Sequence, residues 1–132
     1  MKVILHCNII ISAGLNPGTC RDLIDQVVAI HHIFLSQGII QEYYEVISRA
    51  KFKPENVTKC KLILSDILEV ATIIEPAQGS FNLLDPKDEI YLATALAAKA
   101  DALITGDHKH FPLSQYEGIL ILSPGEFLKE AT

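Results

Sequence analysis

Apolar residues arrive along this chain in short runs separated by longer stretches of helical spacing. Val3-Ile4-Leu5, Ile33-Phe34-Leu35, Ala102-Leu103-Ile104-Thr105 and Ile119-Leu120-Ile121-Leu122 read as strands covered on both faces. Ala71-Thr72-Ile73-Ile74 reads as a further strand, free to sit outside the main sheet. Helices fill the intervals. Thr19 caps one that runs to about Ile30, and Ser36 caps one to about Ala50. Pro54 suits the first turn of a helix ending near Val70. Asp85-Pro86-Lys87-Asp88 opens another to about Ala100, and Ser123-Pro124 opens a last short one holding Phe127 and Leu128. Asn16-Pro17-Gly18 is a turn, Gln78-Gly79-Ser80 a loop, and Gly106-Asp107 breaks a strand. Strands alternating with helices predict an α/β fold with a parallel sheet between helical layers. There is no repeat, linker or low-complexity tract, so the expectation is a single domain over 1–132.

One interruption stands out. In VILHCNIIISA the first apolar run stops at His6-Cys7-Asn8 and resumes at Ile9-Ile10-Ile11. Either these polar groups close off a strand, or they begin a site.

Composition narrows the possibilities. About half of the 132 residues are hydrophobic, enough to bury a real core. No apolar run reaches the roughly 20 residues of a membrane span, and the start lacks a signal-peptide cleavage site. A soluble, cytoplasmic protein with no membrane partner is expected. Three cysteines leave one over if two pair, and no CxxC is present. Cys20 shares a helical face with Leu23, Ile24 and Val27, and Cys60 shares one with Val57, Leu64 and Ile67. Both read as buried structural thiols. A net charge of −5 argues against simple electrostatic attraction to nucleic acid. It does not argue against a metal-dependent nuclease, whose site is itself acidic.

In open α/β sheets, sites form outside the carboxyl ends of the strands. His6 follows the first strand there, and Asp107 follows the strand at Ala102. Glu42 lies two turns into the helix after the second strand. At about 100° per residue, Ile40, Tyr43, Ile47 and Ala50 define that helix's apolar face. Glu42 falls at the edge of this face, beside Ile39 and Val46, and Glu45 on the solvated side. Asp88 shares a face with Leu92 and Ala95 and stands at the rim of the core, where an acid needs a partner or a cation. Acids gathered in one cleft suit hard divalent cations. Each acid also has an ordinary reading: Asp85 and Asp88 as helix caps, Asp107 as a turn residue, Glu42 as a solvated side chain.

With these motifs in order, the chain resembles the PIN domain family, which includes the VapC-type toxins. LHCNIIISA resembles the family's strand-one motif of an Asp, a small residue, an Asn and an apolar run. LSQGIIQEYYEVISRAKF resembles the segment with the second acid, which falls on Glu42. DPKDEIYLATALAAKADALITGDHKHF places the third acid on Asp88 and the fourth on Asp107. ILILSPGEFL resembles the closing strand and helix. The resemblance implies a three-layer α/β/α fold with a central parallel sheet. It implies Mg2+- or Mn2+-dependent endoribonuclease chemistry, with Glu42, Asp88, Asp107 and Asn8 as catalytic candidates. It also implies RNA as substrate, an antitoxin protein as partner and a homo-oligomer.

The chain departs from this pattern at His6, which stands where the family has its first Asp; Asn8 and Ser12 still match. An imidazole removes one negative charge from the set Glu42, Asp88, Asp107 and His6, and shifts its preference from Mg2+ towards softer ions such as Mn2+ or Zn2+. His6 has three readings: a substituted ligand in a working enzyme, the mark of a degenerate site, or an inactivating change in a toxic protein. Ser12, Arg49, Lys51 and Thr105 are candidates for contact with substrate. Arg49 and Lys51, with Lys53, form a basic cluster that suits RNA phosphates or a helix dipole equally. Thr105 either orients a water or phosphate near Asp107 or caps its strand. Tyr43 and Tyr44 have the chemistry to stack bases but the spacing of packing residues. His108 and His110, flanking Lys109, raise the question of zinc with His6. Their i, i+2 spacing and the lack of a completing cysteine favour surface histidines, with Phe111 packed inward.

Two functions follow: a PIN-type metal-dependent ribonuclease, toxin of a toxin–antitoxin pair, impaired or not by His6; or a non-catalytic PIN-like module binding RNA or a protein. A receiver domain would require an acid pair after the first strand, which is absent.

Overall fold

The computed structural model describes residues 1–49, 51–79, 81, 83, 85–107 and 109–130. The elements run β1 (Lys2–Leu5), α1 (Cys7–Leu15), α2 (Thr19–Ile30), β2 (His32–Leu35), α3 (Gln37–Ser48), α4 (Pro54–Val70) and β3 (Thr72–Ile73). A 3-10 turn (Pro86–Asp88) then leads into α5 (Glu89–Ala98), β4 (Ala102–Ile104), β5 (Gln115–Tyr116), β6 (Ile119–Leu122) and α6 (Pro124–Glu130). Six strands form one sheet in the order β3-β2-β1-β4-β6-β5. All pairs are parallel except β5 with β6. The architecture is a three-layer α/β/α fold, with a sheet that is mostly parallel rather than wholly so.

Three elements differ from the sequence reading. The segment after His6 is the helix α1, although Ile9-Ile10-Ile11 is β-branched and disfavours helix locally. Burial overrides propensity here: Ile9, Ile10, Ala13 and Gly14 are buried, and α1 packs against α2, α3 and α4. Gly14 permits this closeness, since a Cβ there would lie 2.2 Å from Cys60 Sγ. The second difference is β3, which belongs to the sheet as its edge strand, with Phe34 opposite Thr72 and Leu35 opposite Ile73. The third is the β5–β6 hairpin. Glu117 (φ 47) and Gly118 (φ 88) turn the chain with both central residues at positive φ, as a type I′ turn requires.

Smaller corrections concern α3. Its buried face is Ile39, Tyr43 and Ile47, with Ile40 only partly buried; Ala50 lies outside the described residues. Ser36 occupies the N-cap position, but its hydroxyl pairs with Thr94 at 2.8 Å and does not cap the helix. Asp85 caps the 3-10 turn as expected, accepting from Lys87 N at 3.0 Å. Cys60 is buried and Cys20 partly buried, and all three cysteines are free thiols.

The helix α5 is apolar nearly all round: Tyr91, Leu92, Ala93, Thr94, Ala95 and Ala98 are buried, and it packs on β1, β2 and β4. Its alanines allow close approach to the sheet. Lys99, in the left-handed region (φ 53), ends it. No helix among the described residues is long and apolar enough to cross a membrane.

From β1 the strand order runs outward through β2 to β3 on one side and through β4 to β6 on the other. The boundary between β1 and β4 is therefore where the winding reverses, the place where such sheets open a crevice at their carboxyl ends.

Candidate metal centre at the β1–β4 boundary

Register builds the site. Leu5 pairs with Ile104, so the next residues, His6 and Thr105, emerge side by side. His6 N donates to Ile104 O at 2.9 Å, and the two side chains meet with His6 Nδ1 3.2 Å from Thr105 Oγ1. The Thr105 hydroxyl also accepts from Asp107 N at 3.0 Å. On the other side of the ring, His6 Nε2 lies 3.0 Å from Asp88 Oδ1. Tyr91 and Phe111 meet the imidazole edge-on, with ring centroids 4.8 and 5.4 Å away. His6 is 4% exposed and Asp88 3%, so this contact lies in a low-dielectric setting. A carboxylate accepts and does not donate, so in the metal-free protein Nε2 carries the proton and Thr105 supplies the partner for Nδ1.

Asp88 reaches this point because the Asp85 cap folds the chain into a 3-10 turn ahead of α5, with Asp88 N bonded to Asp85 O at 3.0 Å. One turn along α5, Tyr91 donates its hydroxyl to Glu42 Oε1 at 2.7 Å, joining α5 to α3. Asn8 accepts from Gly106 N at 3.4 Å and ties the start of α1 to the loop after β4. Asp107 Oδ1 accepts from Lys109 N at 3.0 Å and His110 N at 3.4 Å, which bends the loop back towards the sheet.

That bend brings in a residue the sequence reading left at the surface. His110 is about one-third exposed, and its two ring nitrogens span two acids: Nδ1 is 2.6 Å from Asp88 Oδ2, and Nε2 is 3.3 Å from Asp107 Oδ2. Nothing in the spacing of His110 from Asp107 announces this; the loop hydrogen bonds produce it. Phe111 packs inward as expected. His108 lies outside the described residues.

A cavity of about 110 Å³ opens among His6, Cys7, Glu42, Arg49, Asp88 and His110, with Lys87 at its wall. A wider cleft of about 490 Å³ lies at the other end of the strands, by Met1, Ile30 and Val70. Its one carboxylate, Asp101, is engaged by Lys2 N at 2.8 Å. The carboxylate, imidazole and basic side chains gather at the small cavity. Asn8 and Asp107 flank it through their loop contacts. Thr105 is wholly buried, so its hydroxyl positions His6 and Asp107 and does not face a substrate. Ser12 and Lys51 are exposed and do not line the cavity. Tyr43 is buried with its hydroxyl on Leu5 O, whereas Tyr44 is exposed.

Among the described residues, two groups of side chains have ligand atoms within 4.8 Å of one another: His6 with Asp88 and His110, and His6 with Cys7 and Glu42. The first fits a divalent ion better. Asp88 Oδ2 and His110 Nδ1 are buried and face each other at 2.6 Å, a close imidazole–carboxylate contact. A divalent ion bound here would take the place of the proton these two atoms share. In the metal-free protein the thiol of the second group holds its proton. Burial pushes Cys7 up to about 12, with the negative charges of Glu42 and Asp88 adding to it and Tyr91 pulling the other way.

Fold and site together define an α/β protein with a mixed carboxylate and imidazole centre at the carboxyl edge of its sheet. A profile of the PIN domain matches residues 2–109, and the chain belongs to that family, with His6 where the family carries an acid. No curated protein matches it. Among solved structures, it is similar to a chain of VapBC2 from Rickettsia felis bound to a DNA fragment from their promoter. That likeness covers 93% of this chain and 98% of the other, with a TM-score of 0.63 at 18% identity, and so speaks for the fold.

Proposed function

We propose that this chain is a divalent-metal-dependent endoribonuclease of the PIN type, and that it serves as the toxin of a toxin–antitoxin pair in the cytoplasm. The observation that carries the reading is the meeting of Asp88, Glu42, His6 and His110 on one small cavity, with Asp107 beside it. Mn2+ is favoured over Mg2+ because imidazole nitrogen accompanies the carboxylate oxygens. Such an ion, when bound, activates water and offsets charge on the scissile phosphate. Around it, Asp88 supplies the buried oxygen, Tyr91 holds the Glu42 carboxylate, Thr105 fixes the His6 ring, and Asn8 steadies the loop carrying Asp107. Arg49 and Lys87 on the cavity wall draw RNA phosphate into a chain that is otherwise net negative, with Lys51 extending that basic patch. The VapBC2 likeness supports an antitoxin-type protein as partner, and a homo-oligomer as the working unit is part of the same proposal.

The test is cleavage of single-stranded RNA by the purified protein with Mn2+, with Mg2+ and with chelator. Asp88→Asn should lower the Mn2+-dependent rate by at least about a hundredfold. One observation favours a second reading, a non-catalytic module binding RNA or protein: both ring nitrogens of His6 already have partners within the protein. A folded wild-type protein that retains RNA but cleaves none with any ion would establish that reading instead.

A further inference from the structure

We propose that His6, Asp88 and His110 form a two-imidazole, one-carboxylate site for a borderline transition-metal ion, Zn2+ above Mg2+, with Asp107 and Thr105 as the outer partners of the two imidazoles. The inference deepens the metal-dependent reading above and rests on it.

The centre of the site is the contact between two buried atoms, Asp88 Oδ2 and His110 Nδ1. They belong to facing side chains 2.6 Å apart. His6 Nε2 lies 3.0 Å from the same carboxylate on its other oxygen. Zn2+ bonds of about 2.0–2.2 Å to nitrogen and oxygen set tetrahedral neighbours roughly 3.3–3.5 Å apart. Modest outward movement of His110, the exposed member, reaches that spacing.

A metal-binding imidazole needs its other nitrogen held, because that bond fixes the tautomer and the ring's aim. Both rings here have the partner. His110 Nε2 faces Asp107 Oδ2 at 3.3 Å, the carboxylate–histidine arrangement typical of such centres. His6 Nδ1 faces Thr105 Oγ1 at 3.2 Å, and with an ion on Nε2 the threonine oxygen would accept the Nδ1–H while keeping its bond from Asp107 N. Binding therefore requires His6 to exchange its Nε2 proton for one on Nδ1, with no change in ring position. Three protein ligands leave a fourth position open to the cavity, where water or a phosphate oxygen enters.

Selectivity follows from the donor atoms. Mg2+ demands an octahedral oxygen shell and keeps its waters, whereas two imidazoles suit Zn2+. In this arrangement Asp107 acts through His110 and not as a ligand.

The experiment is competition for Zn2+ against a chromophoric chelator, with Mg2+ in large excess, for the wild type, His110→Ala and Cys7→Ser, each checked for folding by circular dichroism. The wild type should take up one Zn2+ per chain. His110→Ala should weaken it by about tenfold to a hundredfold, and Cys7→Ser should leave it unchanged. Co2+ should give the intense visible absorption of a four-coordinate site in the wild type and lose it in His110→Ala. Zn2+ affinity that is equal in wild type and His110→Ala, that is abolished by the Mg2+ excess, or that depends on Cys7 would each overturn the proposal. Zn2+ held through His110 in a protein that cleaves no RNA would sink the ribonuclease reading alone. Mn2+-dependent cleavage without His110-dependent Zn2+ binding would sink this inference alone.

Discussion

His6 Nε2 and Asp88 Oδ1 lie 3.0 Å apart in the buried heart of the site, so the imidazole that replaces an acid is bonded to an acid that remains. The substitution therefore does more than remove a charge. It gives Asp88 a partner that persists when no cation is present.

From that pairing comes the first expectation. His6→Asp removes the partner of a buried carboxylate and puts a like charge beside it. The metal-free variant should be less stable by about 3 kcal/mol, and added Mn2+ should restore the loss. Mn2+-dependent cleavage of single-stranded RNA should rise by at least about tenfold. Urea melts with and without Mn2+, alongside the cleavage assay, read both effects. An inert His6→Asp protein that folds and binds Mn2+ would place the defect elsewhere. His6→Ala should lose activity if His6 is a working ligand and change little if the site is degenerate.

Thr105→Val keeps shape but deletes the hydroxyl between His6 Nδ1 and Asp107 N. Two buried polar atoms then lack a partner, at a cost of about 1–3 kcal/mol. If the hydroxyl aims the His6 ring, metal affinity should also fall by about tenfold. A variant that loses stability while its metal titration stays unchanged would make Thr105 a strand-end fastening only.

The third expectation concerns alkaline pH. Burial, first among the causes, pushes Cys7 up to about 12 and raises Tyr43 and Tyr91 well above their ordinary value. In the unfolded chain these groups ionise near pH 8.5 for Cys and pH 10 for Tyr. Their contribution to stability is therefore complete below those values and is lost as pH rises towards the folded values. Above about pH 9 stability should decline, with each titrating group adding a slope of up to about 1.4 kcal/mol per pH unit. Urea midpoints from pH 7 to 11 should show the decline, and Cys7→Ala should flatten its first part.

Much of the frame was legible from pattern alone. The four apolar runs became β1, β2, β4 and β6, and Pro54 and Asp85 marked where helical structure begins, whereas Thr19, read as a cap, is the first helical residue after Gly18 and makes no side-chain cap bond. The α1 helix was hidden because Ile9-Ile10-Ile11 carries a strand-former's composition; only its burial among three other helices makes it helical. The β5–β6 hairpin was hidden because Glu117-Gly118 lacks the Asn or Asp that usually announces a type I′ turn. At the site, the sequence singled out Glu42, Asp88, Asp107 and His6 one at a time. It raised His110 beside His6 as a zinc question and set it at the surface; its place between two of those acids depends on the Asp107 side chain gripping the loop backbone.

The sheet ends at each side in a strand of two residues, β3 on one flank and β5 on the other. A bare strand edge is a template on which another chain can crystallise its own backbone. Here each flank offers only a couple of residues of ladder, and β5 is one arm of a hairpin with β6. Runaway strand-to-strand stacking between molecules has little to grip, so this apolar chain should stay dispersed at concentrations where a long open flank would seed fibres.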